Sequence, residues 1–180
     1  MRKISDKIKK IFNADQKDRV SAKLKNYSDK ERWGIIGARD RKRLLFLVRL
    51  LKKKLHLSGA DYFRAAMIFQ HGSDVKHIKK AQELAKKGMG LENEKCRWLY
   101  AAATDRILMM KGKKQKFGTQ FKKNGGKWEL HPVQPGITDA ERRRYNVLPL
   151  RKIKIVAGSL NRETGKSSFP RTKIGLTRLR

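Results

Sequence analysis

The sequence predicts a mainly α-helical fold with one small β-hairpin and basic extensions at both ends. Three observations carry that expectation. Apolar residues recur at helical spacing through most of the chain before Met110. Ser, Thr and Asp stand where those helices would begin. Lys123–Asn124–Gly125–Gly126 parts two short aromatic-bearing runs, as a hairpin turn does. At 180 residues with 38% hydrophobic content, the chain is expected to form one domain with a modest core.

Taken in order, Ile4, Ile8, Ile11 and Phe12 with Lys3, Lys7, Lys9 and Lys10 predict a basic amphipathic helix over residues 1–13. Asp15 then reads as the cap of a second short helix. Ser28 and Glu31 spell a capping box, with Trp33, Ile35 and Ile36 as apolar anchors. Gly34 and Gly37 argue against a continuous helix at that point. From Arg39 the run RDRKRLLFLVRLLKKKLHL is the strongest helix in the chain. Leu44, Leu47, Val48 and Leu51 line one face, and Leu45, Phe46, Leu50 and Leu55 broaden it, which predicts burial on several sides.

Ser58–Gly59 break that helix, and Asp61 opens the next, which runs to Gly72. Ser73–Asp74 cap Val75–Gly88, and a glycine turn leads to Glu94–Met110. The last two are predicted to pair as a single helical hairpin of the tetratricopeptide kind. The β-hairpin is placed near 115–132, and Thr138 caps a short basic helix, Asp139–Tyr145. Residues 14–150 thus form the helical domain. Residues 151–180 carry nine basic residues against Glu163 alone, with isolated apolar positions. They are predicted to form a basic extended arm, ordered against a partner.

Forty-seven basic and 16 acidic residues give a formal net charge of +31, so a polyanionic partner is expected. The excess is not confined to one tail: residues 1–56 hold 19 basic against 6 acidic, and residues 57–150 hold 19 against 9. A single cysteine, Cys96, excludes an internal disulfide and a cysteine-based zinc site. No apolar run reaches the length of a membrane span, and the amino-terminal stretch lacks an apolar signal core, so a cytoplasmic location is expected. No metal and no cofactor are expected.

Polar residues that packing does not explain gather between Asp61 and Phe121. His71, Asp105 and Arg106, with Gln120, form one candidate cluster for acid–base chemistry on a phosphodiester; the alternative is a structural network. Gln70, His71, Gln115, Thr119 and Gln120 are candidates to line a ligand pocket, with the alternative that Gln115, Thr119 and Gln120 bond the neighbouring helices at the hairpin base. The nucleic-acid contacts are expected from basic runs. These are Arg41, Lys42 and Arg43; Lys52, Lys53 and Lys54; Lys79, Lys80, Lys86 and Lys87; and Arg142, Arg143 and Arg144. On the arm they are Arg151, Lys152, Lys154, Arg171, Lys173, Arg178 and Arg180.

Five blocks resemble, in the same order, an uncharacterised bacterial family: ADQKDR (Ala14–Arg19), DYFRAAMIFQHG (Asp61–Gly72), AATDR (Ala102–Arg106), GKKQKFGTQF (Gly112–Phe121) and TDAERRRYNVLPL (Thr138–Leu150). That family is marked by DQxDR, IFQHG, a TDR or YDR step, QxYGTQ and a closing V/L-PPL block. The resemblance implies a mostly helical domain with a small hairpin, and no known activity. This chain departs from it in its high basic content and in Phe117, where the family has tyrosine.

Together these features predict an RNA-binding structural protein associated with the ribosome, with rRNA and ribosomal proteins as partners. Broad positive charge suits folded RNA, whose phosphates approach from many directions. The alternatives are a small enzyme or ligand-binding domain built on His71, Asp105, Arg106 and Gln120, and a nucleoid DNA-binding protein.

Overall fold

The computed structural model describes residues 2–21, 27–53 and 56–162. The fold is mainly helical with one two-stranded antiparallel sheet, as the sequence predicts. The chain divides into two compact units, Met1–Asn93 and Glu94–Arg180, where one domain over 14–150 was expected.

The first unit holds four helices: α1 (Arg2–Val20), α2 (Asp29–Leu51), α3 (Gly59–Gln70) and α4 (Val75–Gly90). Helix α1 runs well past the expected end at residue 13. Asp15 sits inside it, fully buried, because Arg19 one turn on pairs with its charge and His71 Nδ1 lies within hydrogen-bond distance. Helix α2 is continuous through Gly34 and Gly37, held at its start by the Ser28–Glu31 capping box. Helices α3 and α4 form the unit's tightest hairpin. Ala65, Ala66, Ala81 and Ala85 are all fully buried in it, and such small side chains let two helices approach closely. Gly72 at the corner is required sterically, since a Cβ there would lie 2.5 Å from the Cβ of His77. Helix α1 closes the unit, with Phe12 meeting Phe63 edge-on at 5.9 Å.

Within this unit α4 pairs with α3, and the division between the units falls in the short turn between the two helices of the expected hairpin, residues 75–88 and 94–110. One expectation is corrected here. Helix α2 is not buried on several sides. Ile36, Leu44 and Leu47 are buried while Leu45, Phe46 and Val48 are exposed, at 60%, 40% and 40%. Helices α1 and α3 pack on one side of α2.

The second unit holds α5 (Glu94–Met110), β1 (Phe121–Asn124), β2 (Lys127–Leu130), α6 (Asp139–Arg144) and α7 (Leu150–Arg162). The strands pair in the register Phe121 with Leu130 through Asn124 with Lys127. Their two-residue loop, Gly125–Gly126, has φ of +52° and +81°, the left-handed backbone that a tight hairpin needs. Phe117, Ala101, Val147 and Ile153 form the core, with Trp98, Phe121, Leu130, Tyr145 and Leu148 packed around it.

Residues 150–162 correct the expectation of an extended arm. They form α7, whose Ile153 is buried against the hairpin side of this unit with Phe117 and Val147. The remainder of the expected arm, residues 163–180, lies outside the described residues.

Candidate functional site

The polar residues singled out in the sequence sort into two clusters, one in each unit, and a basic surface.

In the first unit, α1, α2 and the end of α3 converge on Asp15. Its Oδ1 accepts from Arg19 Nη1 at 2.6 Å and lies 3.0 Å from His71 Nδ1, while Oδ2 accepts from Gln16 Nε2 at 2.6 Å. Arg19 also donates to both oxygens of Asp40, at 3.2 and 2.5 Å. Arg43 bridges onward, donating to Asp40 Oδ1 at 2.9 Å and to Asp18, which Arg39 holds from the other side at 2.6 Å. Arg32 reaches back to the carbonyl of Arg19 at 3.2 Å, satisfying one of the last acceptors of α1. Three carboxylates and three guanidiniums thus alternate in a chain that is largely buried and ends at the exposed Arg39.

The sequence places the cluster through helical spacing. Asp15 and Arg19 are four apart, Asp40 and Arg43 three apart, and Asp40 shares a stripe with the buried Leu44 and Leu47. Burial works to raise the Asp15 carboxyl, but His71, Arg19 and Arg43 outweigh it and hold it below the ordinary carboxylate value. Arg43 is shifted the opposite way: burial works to lower it, and Asp18, Asp40 and Asp15 raise it above the usual arginine value. A nearby second carboxylate, Asp61, caps α3. Burial opposes its charge, yet Ser58, Ser5 and Arg64 hold it below its ordinary value.

In the second unit Asp105 is fully buried, and residues 116–119 wrap around it. Its Oδ1 accepts the N–H groups of Lys116 and Phe117, both at 2.7 Å. Its Oδ2 accepts those of Gly118 and Thr119, at 3.0 and 2.9 Å, and the Thr119 hydroxyl at 2.8 Å. Burial pushes the Asp105 carboxyl above the usual range, against these five donors. Gly118 adopts φ +91° to close the turn, and an added Cβ would come within 3.3 Å of Ile153. Gln115, also fully buried, accepts the Gln120 N–H at 2.9 Å and donates to the carbonyls of Gln120 and His131, at 3.0 and 2.8 Å. Gln120 donates to Thr119 Oγ1 at 2.9 Å. Arg142 seals the loop from α6, bonding the carbonyls of Phe117 and Ile137 and the carboxylate of Asp139.

His71 takes Asp15 as a carboxylate partner within the first unit, and Asp105 is engaged by backbone within the second. Arg106 follows Asp105 on α5, half-buried. Gln115, Thr119 and Gln120 hold the base of the hairpin, the structural alternative, while Gln70 is buried on α3. Sequence reasoning missed Asp18, Arg19, Arg32, Arg39 and Asp40 as site residues. The available signal was the scarcity of acids in so basic a chain: an acid on an inward stripe must have a cation facing it. Among the described residues no group of three or more His, Cys, Asp or Glu is placed to hold a metal. Cys96 is buried, and burial pushes its thiol up to about 12, the inert end of thiol behaviour.

The basic runs divide in the same way. Arg43 and Arg142 leave the list of expected nucleic-acid contacts, because one lies in the Asp18–Asp40 cluster and the other is only 2% exposed. Arg41, Lys42, Lys52, Lys53, Lys79, Lys86, Arg143, Arg144, Arg151, Lys152 and Lys154 are exposed, while Lys80 and Lys87 flank Glu83 on the surface of α4. Lys54, Arg171, Lys173, Arg178 and Arg180 lie outside the described residues. No family model, curated protein or solved structure matches this chain. Among the described residues no helix is long and apolar enough to cross a membrane.

Proposed function

We propose that this chain is an RNA-binding structural protein, associated with the ribosome through rRNA. One observation carries the reading. Asp15, Asp18, Asp40 and Asp105 are buried and engaged inside the fold, while among the described basic residues only Arg19, Arg32 and Arg142 are buried, so the described surface is strongly basic. A surface of that sign attracts phosphates from many directions and releases counterions on contact. Exposed bases lie on α2, α4, α6 and α7, which suits folded RNA better than one groove of a regular duplex.

The test is a binding titration against structured RNA, duplex DNA and heparin over a range of salt. The reading expects the tightest binding to structured RNA, with a log–log salt slope of several units. Equal affinity for heparin and RNA overturns it, and preference for duplex DNA transfers it to the nucleoid. Deletion is best made at residue 162, because removing α7 would take Ile153 out of the core.

A second reading rests on the Asp15–His71 contact. A buried carboxylate 3.0 Å from Nδ1 favours the tautomer protonated at that nitrogen, which leaves Nε2 basic. In this reading His71 is the acid–base group and Asp15 positions it. Its test is turnover of a phosphodiester substrate with and without His71→Ala.

A further inference from the structure

Helix α2 presents two unlike sides. Its inner side carries Ile36, Asp40, Leu44 and Leu47, locked into the core and the ion cluster. At about 100° per residue, the outer side brings Arg41, Leu45, Val48 and Lys52 into one line, with Arg49 on its flank and Phe46 about 100° round from Leu45, at the far edge of the exposed arc. Leu45 is 60% exposed, and Phe46 and Val48 are each 40% exposed. From Arg39 to Lys53 the only acid is Asp40, which faces inward.

We propose that this outer side of α2 docks on an anionic lipid bilayer surface, lying in the plane of the interface. Charge complementarity selects an anionic partner, since a second copy of the chain would bring the same positive strip against itself. The apolar residues select among anionic partners. Leu45 and Val48 can neither stack on a base nor bond a phosphate, so RNA docking leaves them in water or against sugar edges. A headgroup–acyl boundary takes both kinds of side chain at once: Leu45 and Val48 enter the acyl edge, while Arg41, Arg49 and Lys52 extend along their stems to the phosphates. The strip is convex, which fits a deformable surface without requiring a matching groove. Helix α2 is not apolar enough to span the membrane, so it rests on it.

This docking goes beyond the RNA reading, and the two are separable experimentally. The full chain is floated with vesicles of one part phosphatidylserine to three parts phosphatidylcholine, and with phosphatidylcholine alone. The triple variant Leu45→Gln, Phe46→Gln, Val48→Gln keeps every charge and changes only exposed positions. The wild-type chain is expected to float with the anionic vesicles alone. The variant is expected to bind them about tenfold more weakly or worse, with RNA affinity and circular dichroism unchanged. Equal flotation of wild type and variant overturns the proposal, as does wild-type binding to neutral vesicles or to neither kind. A parallel loss of RNA affinity in the variant also overturns it, by assigning the strip to RNA.

Discussion

The Asp15 and Asp105 clusters solve the same problem with different materials. Both place a carboxylate at 0% exposure inside a small helical unit. Asp15 is balanced by side chains from three helices: Arg19, Gln16 and His71, with Asp40, Arg43 and Asp18 extending the alternation. Asp105 is balanced by four peptide N–H groups and one hydroxyl from four consecutive residues. A side-chain network can be redesigned one member at a time, whereas peptide donors cannot be mutated away. The first cluster ties helices to each other, and the second dictates the path of a loop. His71 brings a titratable ring to the edge of the first cluster.

The largest effect is expected from Asp105→Ala. It leaves five donors facing a cavity, four of which belong to the backbone and have no alternative acceptor nearby. A loss of at least about 4 kcal/mol follows from orphaning several buried donors at once. Amide exchange read residue by residue checks it: Lys116, Phe117, Gly118 and Thr119 should lose protection together with the core around Phe117. Retained protection at those four amides would mean that the carboxylate is not what holds the loop.

Arg19→Met should cost less, about 3 kcal/mol, by leaving Asp15 and Asp40 buried without their shared cation. The contrast sharpens in a triple variant, Arg19→Met with Asp15→Leu and Asp40→Leu. Removing the charges together should be less damaging than removing the arginine alone, because no buried ion is then stranded. Chemical denaturation of both variants decides it. If the triple variant proves weaker than the single one, the cluster contributes net attraction beyond its desolvation. No matching rescue exists for Asp105.

Acid separates the clusters next. Asp15 and Asp61 are both held below their ordinary values in the folded unit. A carboxyl with a lowered folded pKa contributes stability that is present above the unfolded value, about 3.9, and is lost as pH falls through the folded one. The first unit should therefore lose stability progressively below about pH 4. Asp61→Asn should flatten part of that dependence, measured as the denaturation midpoint against pH. A first unit whose midpoint is unchanged from neutral pH down through this range would contradict the network drawn around Asp15 and Asp61.

Much of the helical fold was legible because it rests on local rules. Ser28 with Glu31, the Asp74 cap, the Thr138 cap and the Gly125–Gly126 turn each needed only neighbours in sequence. What escaped depended on distant partners. Nothing near Asp15 announces Asp40 or His71, 25 and 56 positions away, so it read as a cap when it is a buried ion. Helix α7 was hidden for the same reason: Ile153 looks isolated until Phe117 and Val147 are brought beside it. Helix α2 failed in the opposite sense, since counting apolar positions predicts burial that the available neighbours do not supply. The blocks ADQKDR and FQHG, and again ATDR and QKFGTQ, proved to be partners in pairs, joined by Asp15 to His71 and by Asp105 to the loop.

The smallest effects are expected at the two capping boxes, and they test whether the first unit's polar bonds are local or shared. Ser28 and Glu31 bond only each other at an exposed helix start, with the Ser28 hydroxyl 2.7 Å from Glu31 Oε2. Ser58 and Asp61 form the same motif, but Asp61 also accepts from Ser5 of α1 at 2.8 Å and from Arg64 at 3.0 Å. Ser28→Ala removes one cap and should cost about 1 kcal/mol or less. Ser58→Ala should cost somewhat more, about 1 to 2 kcal/mol, because it loosens the carboxylate that ties α1 to α3. Denaturation midpoints rank the two, and the double variant Ser5→Ala, Ser58→Ala measures the coupling. Additive losses would make both boxes purely local; a coupling of more than about 0.5 kcal/mol would make Asp61 a joint between helices, the side-chain counterpart in the first unit of what Asp105 does by backbone in the second.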